Sequence, residues 1–289
     1  MNQELVCWLK NEIKKRYGNV KRARGIYLYT EKSVRLTDCF LDGGRGILGH
    51  GGGKAKTAFK DCFERGANGF YDSGLIPAFE KSVKKLLPAE YTEIRLYSEK
   101  TAAMLGGTSV SLDGASEKAN PVLWRPWLDF AGKITEQPTG YPKIQVIYNT
   151  NEVFPAVVKI LPPFTYATDI CVYAFSEKSY KNLAELPQND VVPSPLLAAY
   201  TRGFYDLLNS FSLFTENHFK ANSKALEPFF TRNQCYLFPK ISEEKYKDFV
   251  LKCLEAGIVI SPDYNEPSIM PWRANPGDIK KISKINLEG

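Results

Sequence analysis

Ala156-Val-Val-Lys-Ile-Leu161 and Asp169-Ile-Cys-Val-Tyr-Ala-Phe175 are short runs of β-branched and aromatic residues with little polar alternation, and Lys143-Ile-Gln-Val-Ile-Tyr148 is a third. Such runs suit a sheet covered on both faces, because a face open to water shows a polar residue at every second position. The covering layers are legible on either side. Helical spacing of apolar residues predicts helices over about 54–64 and 77–87 before these strands, and a long, strongly apolar helix over 195–215 after them. Glu93-Ile-Arg-Leu-Tyr97 reads as a further strand that turns into a helix at Ser98-Glu-Lys-Thr-Ala-Ala-Met104. The centre of the chain is therefore α/β.

The two ends read differently. Leu5, Trp8, Leu9 and Ile13 recur at helical spacing over residues 3–17, and Gly18 follows as a stop. Gly25-Ile-Tyr-Leu-Tyr29 and Ser33-Val-Arg-Leu-Thr-Asp-Cys-Phe40 form a hairpin across Thr30-Glu31-Lys32. Asp42-Gly-Gly-Arg-Gly-Ile-Leu-Gly-His-Gly-Gly-Gly53 is so rich in glycine that its backbone must visit left-handed angles or approach another surface closely. A glycine loop leading into a helix also suits an anion, but the preceding strand belongs to a hairpin and no Gly-Lys-Ser/Thr follows, so a nucleotide loop is not expected. Toward the C-terminus the pattern predicts a helix at 217–230, a strand at Cys235–Phe238 and a helix at 242–256. A strand at Gly257–Ser261, the run Ile269-Met-Pro-Trp-Arg273 and a last helix follow. Residues 105–143 are loop-rich and carry Trp124-Arg-Pro-Trp127, a pair of aromatics that either stacks on a ring or packs in the core.

Composition narrows the function classes. With 44% hydrophobic and 24% charged residues the chain is globular rather than disordered. The net charge of +6 is spread among acidic residues instead of forming a stripe, which argues against nucleic acid as a partner. The densest basic stretch, Lys14 to Arg24, is read as a solvated helix face. Cys7, Cys39, Cys62, Cys171, Cys235 and Cys253 show no CxxC pair, so they read as buried thiols of a reducing compartment. No leader and no apolar run of membrane-spanning length is seen, and the expectation is a cytoplasmic protein with no membrane partner. His50 and His218 lack cysteine or acid neighbours at ligand spacing, and no metal site is expected.

Four stretches, in order, resemble the class III aminotransferases, pyridoxal-phosphate enzymes of fold type I. Gly25-Ile-Tyr-Leu-Tyr29 with Arg35–Phe40 and Gly46-Ile-Leu-Gly-His50 is similar to the opening hairpin and Leu-Gly-His loop of that family. Leu96-Tyr-Ser98 to Ala103 resembles its Ser-Gly-Thr phosphate turn, with Glu99 and Lys100 in place of the family's Gly and Glu. Ser194-Pro-Leu-Leu-Ala-Ala199 is similar to Asn-Pro-Leu-Ala-Ala, and Leu254–Pro262 resembles the small-domain strand. The resemblance is good at both ends and poor in the middle, and such enzymes are usually much longer. It implies a shortened fold-type-I central sheet with a smaller α+β domain made from both chain ends. The domain boundaries are then 1–50 for the N-terminal segment of the small domain, 51–215 for the central α/β domain and 216–289 for the C-terminal small domain.

The family's site residues carry over as expectations. Lys159 is the Schiff-base lysine, with Lys178 as the second candidate; the plain alternative for Lys159 is a lysine at a strand edge. The glycines that normally follow that lysine are replaced by Leu161-Pro-Pro-Phe164. Asp129 stands at the separation expected of the carboxylate that faces the pyridine nitrogen, while Asn149 ends a clearer strand but is no acid. Ser98, Lys100 and Thr101 hold the phosphate, or Ser98 caps a helix. Arg273 takes the substrate carboxylate as a planar bidentate donor, or is an ordinary exposed arginine. His50 lines the ligand site, or is a loop histidine. The resemblance further implies pyridoxal 5'-phosphate, a small amino or keto substrate and a homodimer. Two readings stay open: a shortened aminotransferase, or a degenerate relative that keeps the fold as a binding or interaction protein.

Overall fold

The computed structural model describes residues 2–67, 73–105, 109–112, 115–118, 121–128, 155–166, 168–178, 180, 183–213, 224–271 and 274–286, with backbone alone at 105, 109–112 and 115–118. These residues fall into two compact units. One takes the chain up to Gly51 and again from Ser212; the other takes the described residues from Gly52 to Phe211.

The first unit opens with helix α1 (Gln3–Tyr17), whose buried stripe is Val6, Leu9 and Ile13. Asn2 caps its start by accepting from the Glu4 N–H at 3.0 Å. A four-stranded sheet follows in the order β1 (Val20–Arg24), β2 (Tyr27–Thr30), β3 (Arg35–Asp38) and β12 (Ile258–Val259), the last pair parallel. The hairpin read from the sequence is β2–β3. Strand β1 escapes such a reading because nearly all its side chains are exposed: Lys21, Arg22 and Arg24 lie on a strand, not on the helix face expected of them. Backbone pairing to β2 holds β1, and the Arg22 guanidinium sits 4.9 Å over the Tyr29 ring.

The C-terminal part adds β10 (Phe230–Asn233), β11 (Tyr236–Pro239) and β13 (Ser268–Ile269) as a second sheet. Helix α6 (Glu243–Glu255) buries Tyr246, Phe249, Val250, Cys253 and Leu254, and the short α7 (Pro276–Ile279) follows. Strand β10 begins at the last residue assigned to the expected 217–230 helix; residues 217–223 of that expectation lie outside the described residues, and 224–226 are helical. Cys7 is exposed, unlike the other five cysteines, because it falls on the solvent side of α1.

In the second unit, strands β4 (Tyr91–Tyr97), β9 (Cys171–Ser176), β8 (Val157–Ile160) and β7 (Val122–Leu123) lie in that order. β9 is antiparallel to both neighbours, and β7 is parallel to β8. Every residue of β9 is buried, as expected of a strand covered on both faces. One face carries Tyr97, Val157, Cys171, Tyr173 and Phe175, packed against Ala102 of α4 (Glu99–Leu105) and against Leu183 and Leu186. Beyond the sheet, α3 (Ile76–Lys84) contacts β4 and α5 (Ser194–Ser210), and α2 (Gly53–Glu64) also packs on α5. Phe204 of α5, fully buried 6.0 Å from Phe79, contributes about 1.5–3 kcal/mol by its burial alone. The loop-rich region includes a two-stranded hairpin, β5 (Ser109–Leu112) with β6 (Ala115–Lys118). No helix among the described residues is long and apolar enough to cross a membrane.

Candidate functional site

Because β4 and β8 both run antiparallel to β9, they are parallel to each other and their carboxyl ends lie at one end of the sheet. That end is where open α/β sheets place ligands. Ser98 follows β4 directly and begins the turn into α4. Lys159 sits near the end of β8, opposite Tyr173 on β9 and Leu123 on β7.

The turn is closed by a carboxylate ninety-two residues away. The Ser98 N–H and the Thr101 hydroxyl both donate to Asp190 Oδ2, each at 2.7 Å. The Thr101 N–H donates to Ser98 Oγ at 3.2 Å, which caps the helix, and the two hydroxyl oxygens are 3.1 Å apart. Thr101 has a single hydroxyl proton and directs it to Asp190, so Ser98 is the donor between the hydroxyls. These bonds, the Ser98 N–H first and the Thr101 hydroxyl next, hold the Asp190 carboxyl below the ordinary aspartate range. Tyr97, one residue earlier, donates to the Pro187 carbonyl at 2.6 Å, and desolvation pushes its phenol up to about 12.

The Lys159 ammonium donates to Glu99 Oε1 at 2.7 Å, with the lysine side chain 22% and the glutamate 57% exposed. An amine prepared as a nucleophile is desolvated or set beside another cation; this one is tied to a carboxylate. The run that follows it is packed against two glycines. A Cβ added at Gly203, inside α5, would stand 3.1 Å from the Pro163 carbonyl oxygen, and one added at Gly52, just before α2, would stand 2.8 Å from the Phe164 ring. Phe164 stacks with Phe59 and Tyr166 at 6.1 and 6.2 Å, so the start of α2 faces an aromatic ring.

Of the residues expected to form a site, the fold thus brings Ser98, Thr101 and, through Glu99, Lys159 together. Lys100 is exposed on α4. Lys178 is at the opposite end of the sheet, beyond the end of β9 beside the start of β4. There it donates to Glu90 Oε1 at 2.7 Å, and that bond raises its pKa. Asp129, Asn149 and Arg273 lie outside the described residues. Trp124 is buried and Trp127 stands edge-on to Phe211 at 5.3 Å, which is the packing role open to that pair. Among the described residues no group of three or more His, Cys, Asp or Glu side chains is gathered to hold a metal.

His50 belongs to the other unit. Its Nε2 is 2.7 Å from Asp38 Oδ2, while Asp38 Oδ1 accepts the N–H groups of Phe40 and Leu41 at 2.8 and 2.9 Å. The His50 backbone bridges Gly25 in both directions. The intervening loop does visit left-handed angles, with Leu41, Asp42, Gly43 and Gly44 all at positive φ. Asp38 and Asp190 are not singled out by the sequence, and Glu99 is, as a departure in the phosphate turn, without its pairing to Lys159. Asp38 stands at the end of a predicted strand, a local signal that was available; nothing near Asp190 points to Ser98.

The α/β fold is similar to that of solved fold-type-I aminotransferases. An ornithine aminotransferase from Plasmodium yoelii aligns with a TM-score of 0.58 and 13% identity over 97% of each chain. An acetylornithine aminotransferase from Elizabethkingia anophelis gives 0.56 and 12% over 95% of this chain and 97% of that one. A glutamate-1-semialdehyde aminomutase from Pseudomonas aeruginosa PAO1 gives 0.60 and 11% over 96% and 88%. In sequence the chain is similar to an uncharacterised protein of Treponema pallidum (strain Nichols), 28% identical over 90% of this chain and 91% of that one. A second, of Borreliella burgdorferi, is 25% identical over 92% and 89%. No family model matches the chain.

Proposed function

We propose that this chain is a shortened, cofactor-free relative of the aminotransferases that keeps their fold as a binding or interaction protein. The observation that carries the reading is the packing of Leu161-Pro-Pro-Phe164. Immediately after Lys159, the chain's own rings fill the space against Gly203 and Gly52, where the resemblance calls for glycines and room beside a cofactor. Two further features agree with it. A phosphate on the Ser98 turn needs the donors that Asp190 takes and would meet a fixed negative charge. Lys159 is committed to Glu99. The residues therefore do not fit pyridoxal phosphate.

A second reading, a cytoplasmic, homodimeric aminotransferase acting on a small amino or keto compound, has one observation in its favour. Lys159 lies at the ligand-binding end of the sheet, beside the first residue of the turn's helix. Adding pyridoxal phosphate to the purified chain, reducing with borohydride and mapping peptides separates the two. The cofactor-free reading expects no new visible absorbance and no pyridoxyl label on Lys159. A stoichiometric label there overturns it.

A further inference from the structure

Asp190 does not act alone on the turn. It ends a four-residue segment, Pro187–Asp190, that runs beside the last residues of β4, the outer strand of its sheet among the described residues. Tyr97 donates its hydroxyl to the Pro187 carbonyl at 2.6 Å, and the Leu96 N–H donates to Asn189 Oδ1 at 2.8 Å. The Asp190 N–H donates to the Leu96 carbonyl at 2.9 Å. With the two bonds from Ser98 and Thr101 to Asp190 Oδ2, the segment satisfies consecutive polar groups of a strand edge that would otherwise be open to pairing with another chain. The next residue, Val191, is 95% exposed, so no burial of its side chain helps to fix the segment. The hydrogen bonds hold it there, anchored on the other side by Leu186, which packs on the core face of the sheet.

We propose that Asp190 is the permanent internal ligand of the Ser98–Thr101 turn: the chain's own carboxylate occupies the place an incoming anion would need, and the turn works as a latch that closes the β4 edge with Pro187–Asp190. The inference rests on the cofactor-free reading and adds what the turn does instead. Its geometry leaves neither hydroxyl proton over: Thr101 gives its proton to Asp190, and Ser98 gives its own to Thr101. The low pKa of Asp190 agrees, because each donor favours the charged carboxylate.

The test is nuclear magnetic resonance on the full labelled chain, with inorganic phosphate as the probe anion. The latch predicts that millimolar phosphate leaves the Ser98 and Thr101 amide resonances unmoved. It also predicts that Asp190→Ala speeds hydrogen exchange at the Leu96 and Ser98 amides by about tenfold, with exchange in α5 unchanged. Asp190→Asn, which keeps the shape and one acceptor but drops the charge, is predicted to speed the same two amides by less, and it replaces the alanine variant if that one does not fold. Saturable phosphate shifts at Ser98 and Thr101 in the unmodified chain overturn the inference, as does unchanged exchange at Leu96 and Ser98 in both variants. A pyridoxyl label on Lys159 would instead contradict the cofactor-free reading; failure of the latch without such a label sinks this inference alone.

Discussion

Two aspartates, one in each unit, use the same chemistry to different ends. Asp38 accepts two backbone N–H groups and His50; Asp190 accepts one backbone N–H and the Thr101 hydroxyl. Asp38 and His50 are 4% and 9% exposed, and they close a twelve-residue loop, whereas Asp190 sits near the surface and reaches ninety-two residues back along the chain. The first is part of the core of its unit; the second is a fastening on the outside of one. Burial sets the difference in energy, since a buried polar group left without its partner loses both the hydrogen bond and its contact with water.

The comparison is broken most readily at the buried clasp. Asp38→Ala strands His50 and two backbone N–H groups inside the unit, and should lower unfolding stability by about 3 kcal/mol. Urea denaturation followed by fluorescence measures it; a loss no larger than that for Asp190→Ala would erase the distinction. Next in size is Gly52→Ala, expected to cost about 2 kcal/mol because the residue is left-handed, at φ 62°, and the new methyl meets the Phe164 ring. Adding Phe164→Ala should recover the part due to collision, so the two changes together cost less than their sum.

Smaller effects sharpen the outer fastening. The Asp190 pKa is depressed in the folded chain, so its contribution is fully present above the unfolded aspartate value of about 3.9 and is lost as pH falls through the lower folded value. The stability difference between the unmodified chain and Asp190→Asn should therefore persist at neutral pH and shrink only in that acid window. A difference that vanished between pH 7 and 5 would point to another group. Smallest of all is Lys159→Met, which removes an ion pair whose carboxylate is exposed and should change stability by less than about 1 kcal/mol. A loss of several kcal/mol would mean that Lys159 does more in the fold than pair with Glu99.

What the sequence revealed follows the same divide between near and far. Helix α1 was legible from its three-to-four-residue period, the β2–β3 hairpin from two β-favouring runs around Thr30-Glu31-Lys32, and β9 from an apolar run that lacks polar alternation. Strand β1 was not, since Lys21, Arg22 and Arg24 face water and carry no period. Of the site, Ser98, Thr101 and Lys159 could be named from the resemblance, and the helix-capping role of Ser98 could be read beside it. Their partners could not: Asp190 and Glu99 are set by tertiary pairing at separations of 92 and 60 residues. The wedge of Pro163 and Phe164 was visible only as a missing pair of glycines, and the glycines it packs on, Gly52 and Gly203, lie in other elements.

The most direct measurement of the central claim is an electron-density map of the chain crystallised with pyridoxal phosphate in excess. The account predicts Asp190 on the Ser98–Thr101 turn, Phe164 against Gly52, Lys159 on Glu99 and no cofactor density beside them. Density for a phosphate bonded to Ser98 and Thr101, with Asp190 turned away and Lys159 joined to the ring, would contradict it.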